Sequence, residues 1–379
     1  MFFSSSLLTP HKPLSPMEKN YRIAVLPGDG IGTEVMHAAQ AVLEAVQPRV
    51  GRALALEWLP AGAQHYLDSG VALPETTLRR CESADAILFG AMGLPHVRGA
   101  DGTEIIPQLD LRMHFDLYAG VRPIRTFRGL PTPLSNPKAE HIDLVLVRES
   151  TEGLFYARGR GDVRGDQEVF DTMRITRHGT TRICEFAFRL AARRAERLGR
   201  AGRVTNVDKA NVFASMAFFR KVFEEVAARH PAVAADSGYV DAMALNLVMK
   251  PWTYDVLVTE NMFGDILSDL IAALVGGMGM APSGDIGDRH ALFQPAHGTA
   301  PDIAGQGKAN PTAMLLSAAM MLEWLAERSG DTALADGAAL IERAVEQVFA
   351  TGQVRPMEFG GMHSTADITR AATNALRAA

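Results

Sequence analysis

Asp265 and Asp269 stand four residues apart in Met262–Leu274, a segment otherwise built of Ile266, Leu267, Leu270 and Ile271. On a helix that spacing puts both carboxylates on one face, where like charges repel. The pair is either a solvated acidic face or a seat for a cation. Hard oxygen ligands would then select Mg²⁺ or Mn²⁺ over zinc. Asp241, in Tyr239-Val240-Asp241-Ala242-Met243, is a third acid, placed where a helix N-cap or a ligand would sit. Lys209 follows a short strand in Val207-Asp208-Lys209-Ala210-Asn211. With 7 lysines against 31 arginines in the chain, a lysine at a strand end is a candidate base or proton relay, because lysine can lose its proton when desolvated and arginine cannot. The alternative is a surface lysine. Arg112, Arg122 and Arg148 each lie near an element end. If they converge, they suit bidentate recognition of a di- or tricarboxylate; singly they read as surface arginines. Gln294–Pro311 is a polar Gly/Pro loop in which His297 can stack, Asp302 can accept from a ribose diol, and the glycines allow close backbone approach.

These groups need elements to hold them. Arg22–Pro27, Leu54–Leu59, Asp85–Ala91, Leu117–Arg125, Ile142–Val147, Arg203–Asn206 and Tyr254–Thr259 read as strands, and Glu168–Thr176 as an exposed one. Helical spacing marks Ile31–Val46, Thr181–Leu198, Val212–Ala228, Met262–Leu274, Pro311–Arg328, Thr332–Ala350 and Thr365–Arg377. Strands alternating with helices predict an α/β fold with parallel pairs. Gly276–Asn310 reads as loop. Gly28-Asp29-Gly30-Ile31-Gly32 is a strand-to-helix turn but not a dinucleotide fingerprint, because Thr33 stands where the third glycine belongs. The turn either lets a loop approach a ligand or simply joins two elements. No Pro/Ser linker divides the chain, so two domains would be interleaved, with crossings near 117 and 276.

The chain has 379 residues and a net charge of −5, with 47% hydrophobic and 21% charged residues. That composition describes a globular protein and excludes extended disorder. The acidic balance gives no reason to expect nucleic acid, and no apolar run of about 20 residues predicts a membrane span. Two cysteines make neither a disulfide scaffold nor a Cys-based zinc site, so a reducing, cytoplasmic compartment is expected. Residues 1–20 are expected to be a disordered tail, with Met17 as the start.

Several motifs together resemble the β-decarboxylating dehydrogenases, the family of isopropylmalate, isocitrate, homoisocitrate and tartrate/D-malate dehydrogenases. They are GDGIG at 28–32, the DLYAGVRPI region, VRESTEG at 147–153, VDKAN at 207–211, YVDAMA at 239–244, ENMFGDILSDL at 260–270 and HGTAPDIAG at 297–305, in family order. The resemblance implies a non-Rossmann fold of two interleaved α/β domains. Residues 21–117 and 276–379 would bind the cofactor, and 118–275 would carry the dimerisation, substrate and metal functions. It implies a homodimer with shared sites that passes hydride from a 2-hydroxy acid to NAD, with loss of the β-carboxylate in most members. A substituted malate, best 3-isopropylmalate, is the expected substrate; tartrate or D-malate is next, then isocitrate. A non-catalytic nucleotide-binding relative is the reading from another class.

Carried over by position, Asp241, Asp265 and Asp269 would bind Mg²⁺ or Mn²⁺. Asp241 and the proton-relay residue Lys209 would come from the partner subunit. Arg112, Arg122 and Arg148 would clamp substrate carboxylates. Asn211 would neighbour the nicotinamide. His297, Gly298, Thr299, Ala300, Pro301, Asp302, Ile303 and Asn310 would hold the adenosine portion. The chain departs from the family in two places. Phe155 stands where the catalytic tyrosine is expected, with Tyr156 one residue later. If the segment after Gly153 is extended, these two point to opposite faces; a bulge would let Tyr156 take the role. Ile105, Gln108 and Leu109 also replace the acid and paired leucines that precede the arginine in isopropylmalate enzymes.

Overall fold

Short apolar runs become the strands, and the longer periodic segments become the helices that cover them. The structure is a computed structural model and describes residues 20–99 and 102–378. Apart from Asn20, the expected tail 1–20 lies outside the described residues.

The chain begins with β1 (Asn20–Gly28), α1 (Gly32–Val50), β2 (Ala53–Trp58), α2 (Ala63–Ser69), α3 (Glu75–Ser83), β3 (Ala86–Ala91) and α4 (Pro107–His114). It continues through β4 (Ala119–Arg125), β5 (Asp143–Glu149), β6 (Asp162–Arg164), β7 (Glu168–Phe170), α5 (Arg177–Leu198), β8 (Arg203–Asp208), α6 (Ala214–Ala227), β9 (Ala234–Tyr239) and α7 (Val240–Met249). β10 (Val256–Thr259), α8 (Asn261–Ala273), β11 (Pro282–Ile286), β12 (Ala291–Pro295), α9 (Thr312–Ser329), α10 (Thr332–Ala350) and α11 (Thr365–Ala378) complete it.

Ten strands form one continuous sheet in the order β2-β1-β3-β12-β11-β4-β5-β10-β8-β9. Both flanks are parallel, while the centre, β12-β11-β4-β5, is antiparallel. The expected α/β class is observed. Helices α1, α9, α10 and α11 pack on the β1/β3 side, and α5 and α6 pack on the β5/β8 side. Buried strands such as β3, AILFGA, are apolar on both faces because helices or loops cover both.

The structure corrects three expectations. Gly276–Asn310 is not all loop: β11 and β12 form a hairpin whose outer edges pair with β4 and β3. Its first strand, PSGDI, looks like a turn because it carries Gly and Asp, yet four of its five residues are buried. Only Glu168–Phe170 of the expected exposed strand is paired, against β6. The segment after Gly153 is a single 3₁₀ turn over Leu154–Ala157, neither extended nor bulged.

Candidate active site

The centre of the site follows from strand register. Asp285 on β11 pairs with Gly120 on β4, which pairs with Arg148 on β5. The three therefore form one row across the sheet, with Arg122 two residues along β4 on the same face. Gly120 leaves the gap: a Cβ there would lie 2.7 Å from Ser150 Oγ and 3.3 Å from Asp285 Oδ1. Arg112 reaches the same point from α4. Its Nη2 donates to Asp285 Oδ2 at 3.0 Å, while Arg122 Nη1 lies 3.8 Å from Asp285 Oδ1. Arg148 donates through Nε to Asn261 Oδ1 at 2.8 Å and forms an ion pair with Asp265. The three arginines expected to converge do so, and all three are buried.

Their burial has electrostatic consequences. Desolvation, with repulsion from Arg112 second, brings the Arg148 guanidinium down to about 10. Arg122 is also lowered, chiefly by burial. Burial alone would raise the Asp285 carboxyl, but Arg112 and Arg122 outweigh it and hold the group below the usual carboxylate range. Removing one member of such a buried pair typically costs roughly 3–5 kcal/mol, since the other charge is left uncompensated.

Asp265 and Asp269 project from α8, whose first turn is capped by Glu260 accepting from Met262 and Phe263 N–H. Gly264 lets Arg148 cross the helix; a Cβ there would lie 2.6 Å from Arg148 Cγ. The Asp269 carboxyl is raised, first by burial and then by the charge of Asp265. This donor set of crowded oxygens fits a hard divalent cation, which would relieve that repulsion. Asp241 is not with them. It lies in the first turn of α7, where Lys209 Nζ donates to its Oδ1 at 2.6 Å. Among the described residues of a single chain, no three acidic, histidine or cysteine side chains are grouped to hold a metal ion.

Lys209 sits on a rigid turn. Asp208, fully buried, accepts from Arg220 Nε and Nη2 at 2.8 and 2.7 Å and from Ala210 N–H at 2.8 Å. The Tyr239 ring lies beneath Arg220 and Lys209, with the cations 5.0 and 5.9 Å from its centroid. Asn211 follows on the same turn and is exposed.

The loop from His297 to Asn310 is anchored at both ends. Thr299 Oγ1 donates to Gly93 O at 2.7 Å, and Thr299 O accepts from Ile31 N–H at 2.9 Å. Asn310 donates to Glu358 and accepts from Thr312, so its amide is engaged within the protein. His297 Nε2 is buried without a partner, Gly298 opens onto free space, and Pro301 and Asp302 are exposed. An unpaired ring nitrogen beside an open backbone fits a nucleotide's polar edge. The GDGIG turn supports this loop: Gly30 has φ 55°, and a Cβ there would lie 2.1 Å from Thr299 O. Asp29 within the turn accepts from Ala63, Gln64 and Gly93 N–H.

Phe155, not Tyr156, packs against Arg148. Arg148 lies 5.0 Å above the Phe155 ring, whereas Tyr156 is held between Arg160 and Arg174 at 4.1 and 4.6 Å. The ring of Tyr156, expected as a catalytic group, thus lies in a cation stack. Asp285 and Asn261 join the site without standing out in the sequence: Asn261 lies within the ENMFGDILSDL motif, and Asp285 falls in the supposed loop.

The family model for isocitrate/isopropylmalate dehydrogenase matches residues 22–374. A 3-isopropylmalate dehydrogenase of Heyndrickxia coagulans is 42% identical over 340 residues, covering 87% of this chain and 89% of the relative. A 3-isopropylmalate/3-methylmalate dehydrogenase of Methanocaldococcus jannaschii is 39% identical, over 94% and 99% of the two chains. Among solved structures, an isocitrate dehydrogenase from Methylococcus capsulatus superposes with a TM-score of 0.82 at 36% identity, covering 94% of this chain and 99% of that one.

Proposed function

Because the chain belongs to the isocitrate/isopropylmalate dehydrogenase family, we propose that it oxidises a substituted malate, best 3-isopropylmalate, with NAD and a divalent cation, and with decarboxylation. The observation that carries this reading is the convergence of Arg112, Arg122 and Arg148 beside the Asp265/Asp269 pair. The arginines bind and orient the substrate carboxylates through charge-assisted hydrogen bonds. Lys209 moves the proton at the substrate hydroxyl, and the turn fixed by Asp208 keeps its ammonium in place. The loop from His297 to Asn310 holds the adenosine, with Asp302 free to accept from the ribose hydroxyls. Mg²⁺ or Mn²⁺ on Asp265 and Asp269 would polarise the hydroxyl and then the keto oxygen, and NAD would accept the hydride.

The proposal includes a homodimer in which the partner supplies Asp241 and Lys209. Leu245 and Met249 on α7 are 64% and 63% exposed, and Ile266 on α8 is 61% exposed. Leu245 lies one turn after Asp241, and Ile266 adjoins Asp265. A second copy covering this apolar face would bring its Lys209–Asp241 pair toward Asp265 and Asp269. On the same reading, residues 21–117 and 276–379 form the cofactor domain and 118–275 the substrate and dimer domain. Both cysteines are buried and unpaired among the described residues, which suits the cytoplasm. Among the described residues, no helix is long and apolar enough to cross a membrane.

Gln108 favours a second substrate, tartrate or D-malate. It precedes Arg112 by one helical turn, and its Oε1 is buried without a partner, so it can meet a polar substituent. Absorbance of NADH with 3-isopropylmalate, D-malate, tartrate and isocitrate, with and without Mn²⁺, decides among them. Fastest Mn²⁺-dependent turnover of 3-isopropylmalate is expected. No NADH from any of the four would end the dehydrogenase reading.

A further inference from the structure

We propose that Asp285 sets how many carboxylates the substrate carries: it neutralises one of the three site arginines, so the site accepts a dicarboxylate and rejects a tricarboxylate. The inference rests on the dehydrogenase reading and deepens it.

Asp285 is 1% exposed and faces no solvent that could screen it. Its Oδ2 accepts from Arg112 Nη2 at 3.0 Å and from Gln294 Nε2 at 2.9 Å. Its Oδ1 has no hydrogen-bond partner and lies 3.8 Å from Arg122 Nη1. Arg112 Nε is also buried without a partner. Asp285 thus occupies part of the clamp, while a donor of Arg112 remains to be used. Its carboxylate sits where a ligand carboxylate would gain most from the arginines, and it is supplied by the chain itself.

The local charges then count simply. Lys209 and Asp241 form a neutral pair. A divalent cation on Asp265 and Asp269 balances those two acids. Three guanidinium groups facing one buried carboxylate leave two positive charges. The two carboxylates of a malate-type acid match them. A third would add a negative charge to a buried site with no free guanidinium, a costly arrangement. A site for a tricarboxylate would need an uncharged residue at this position.

The test reads binding in the absence of NAD, so that no turnover occurs. Wild-type full-length protein in Mg²⁺ is titrated calorimetrically with methylsuccinate and with propane-1,2,3-tricarboxylate, neither of which has an oxidisable hydroxyl. The wild type is expected to bind the dicarboxylate at least about tenfold more tightly. Asp285→Asn, nearly identical in shape, should move that ratio at least about tenfold toward the tricarboxylate. A solely structural Asp285 would weaken both acids alike. The proposal is overturned if the wild type binds the tricarboxylate as tightly as the dicarboxylate, or binds neither. It is overturned equally if the variant, with unchanged circular dichroism, keeps the wild-type ratio. If the variant does not fold, the wild-type ratio decides alone. A wild-type preference for the dicarboxylate with no NADH from any hydroxy acid would sink the dehydrogenase reading and leave the charge count standing.

Discussion

Lys209 Nζ lies 2.6 Å from Asp241 Oδ1, so the proposed proton relay and the proposed third metal ligand form one unit, held apart from Asp265 and Asp269 within a chain. The pair holds the Asp241 carboxyl below its usual range, mainly through the hydrogen bond from Lys209.

If that unit serves the partner's site, two inactive variants should complement each other. Lys209→Ala and Arg148→Ala are each expected to be nearly inactive. Subunits mixed and allowed to exchange should regain part of the activity, because one site of the mixed dimer carries neither lesion. Subunit exchange shown by mass spectrometry with no return of activity would rule out the shared site.

Asp265→Asn removes charge from the paired carboxylates and changes the side chain's size very little. The half-saturating Mn²⁺ concentration should rise at least about tenfold while circular dichroism stays unchanged. An unaltered Mn²⁺ titration would make the acidic face of α8 a surface feature.

Asp302 is exposed on the loop that anchors at Thr299 and Asn310. A carboxylate there repels the 2′-phosphate of NADP. NAD should be preferred by at least about tenfold in kcat/KM, which needs only ~1.4 kcal/mol. Equal values for the two cofactors would remove Asp302 from the cofactor site.

Phe155 has no proton to donate, and the Tyr156 ring is committed to Arg160 and Arg174. The enolate left when CO₂ departs then waits for its proton, and oxo-acid that still holds its carboxylate can escape, so NADH should form faster than the decarboxylated oxo-acid product. Phe155→Tyr should bring the two rates together, and Tyr156→Phe should change either rate by no more than about twofold. Loss of the decarboxylated oxo-acid product in Tyr156→Phe would return the proton to Tyr156.

Burial holds the His297 imidazole below its ordinary value. The unfolded chain then binds the extra proton first. This contribution to stability is intact above the ordinary histidine pKa, ~6.5, and declines as pH falls below it, levelling off under the lower folded value. Thermal unfolding of wild type should lose more between pH 7 and 5 than that of His297→Gln. Parallel curves would show that the ring is freely hydrated.

The motifs of α8 and of the Lys209 turn were legible because their chemistry lies within one element: Asp265 and Asp269 share a helix face by spacing alone. Convergence of Arg112, Arg122 and Arg148 was not legible, since it depends on the register of β4 against β5 and β11. Asp285 was hidden for a different reason. An acid beside Gly284 reads as a turn, and only the two arginines that offset its burial let it occupy a strand. Phe155 was legible as a departure, but its partner Arg148 was not, because a 3₁₀ turn cannot be told from a strand over four residues.

The β11–β12 hairpin also bears on how the chain comes off the ribosome. β3 pairs with β12, and β4 with β11, across gaps well over a hundred residues long. The early strands therefore emerge with unpaired edges: that of β4 stays open until Ile286 has been synthesised, and that of β3 until β12 follows. Such long-range closure is slow and leaves sticky surface exposed meanwhile. Nascent chains halted before residue 282 should be bound by chaperones, and release should coincide with the hairpin's appearance rather than with the completion of either flank of the sheet.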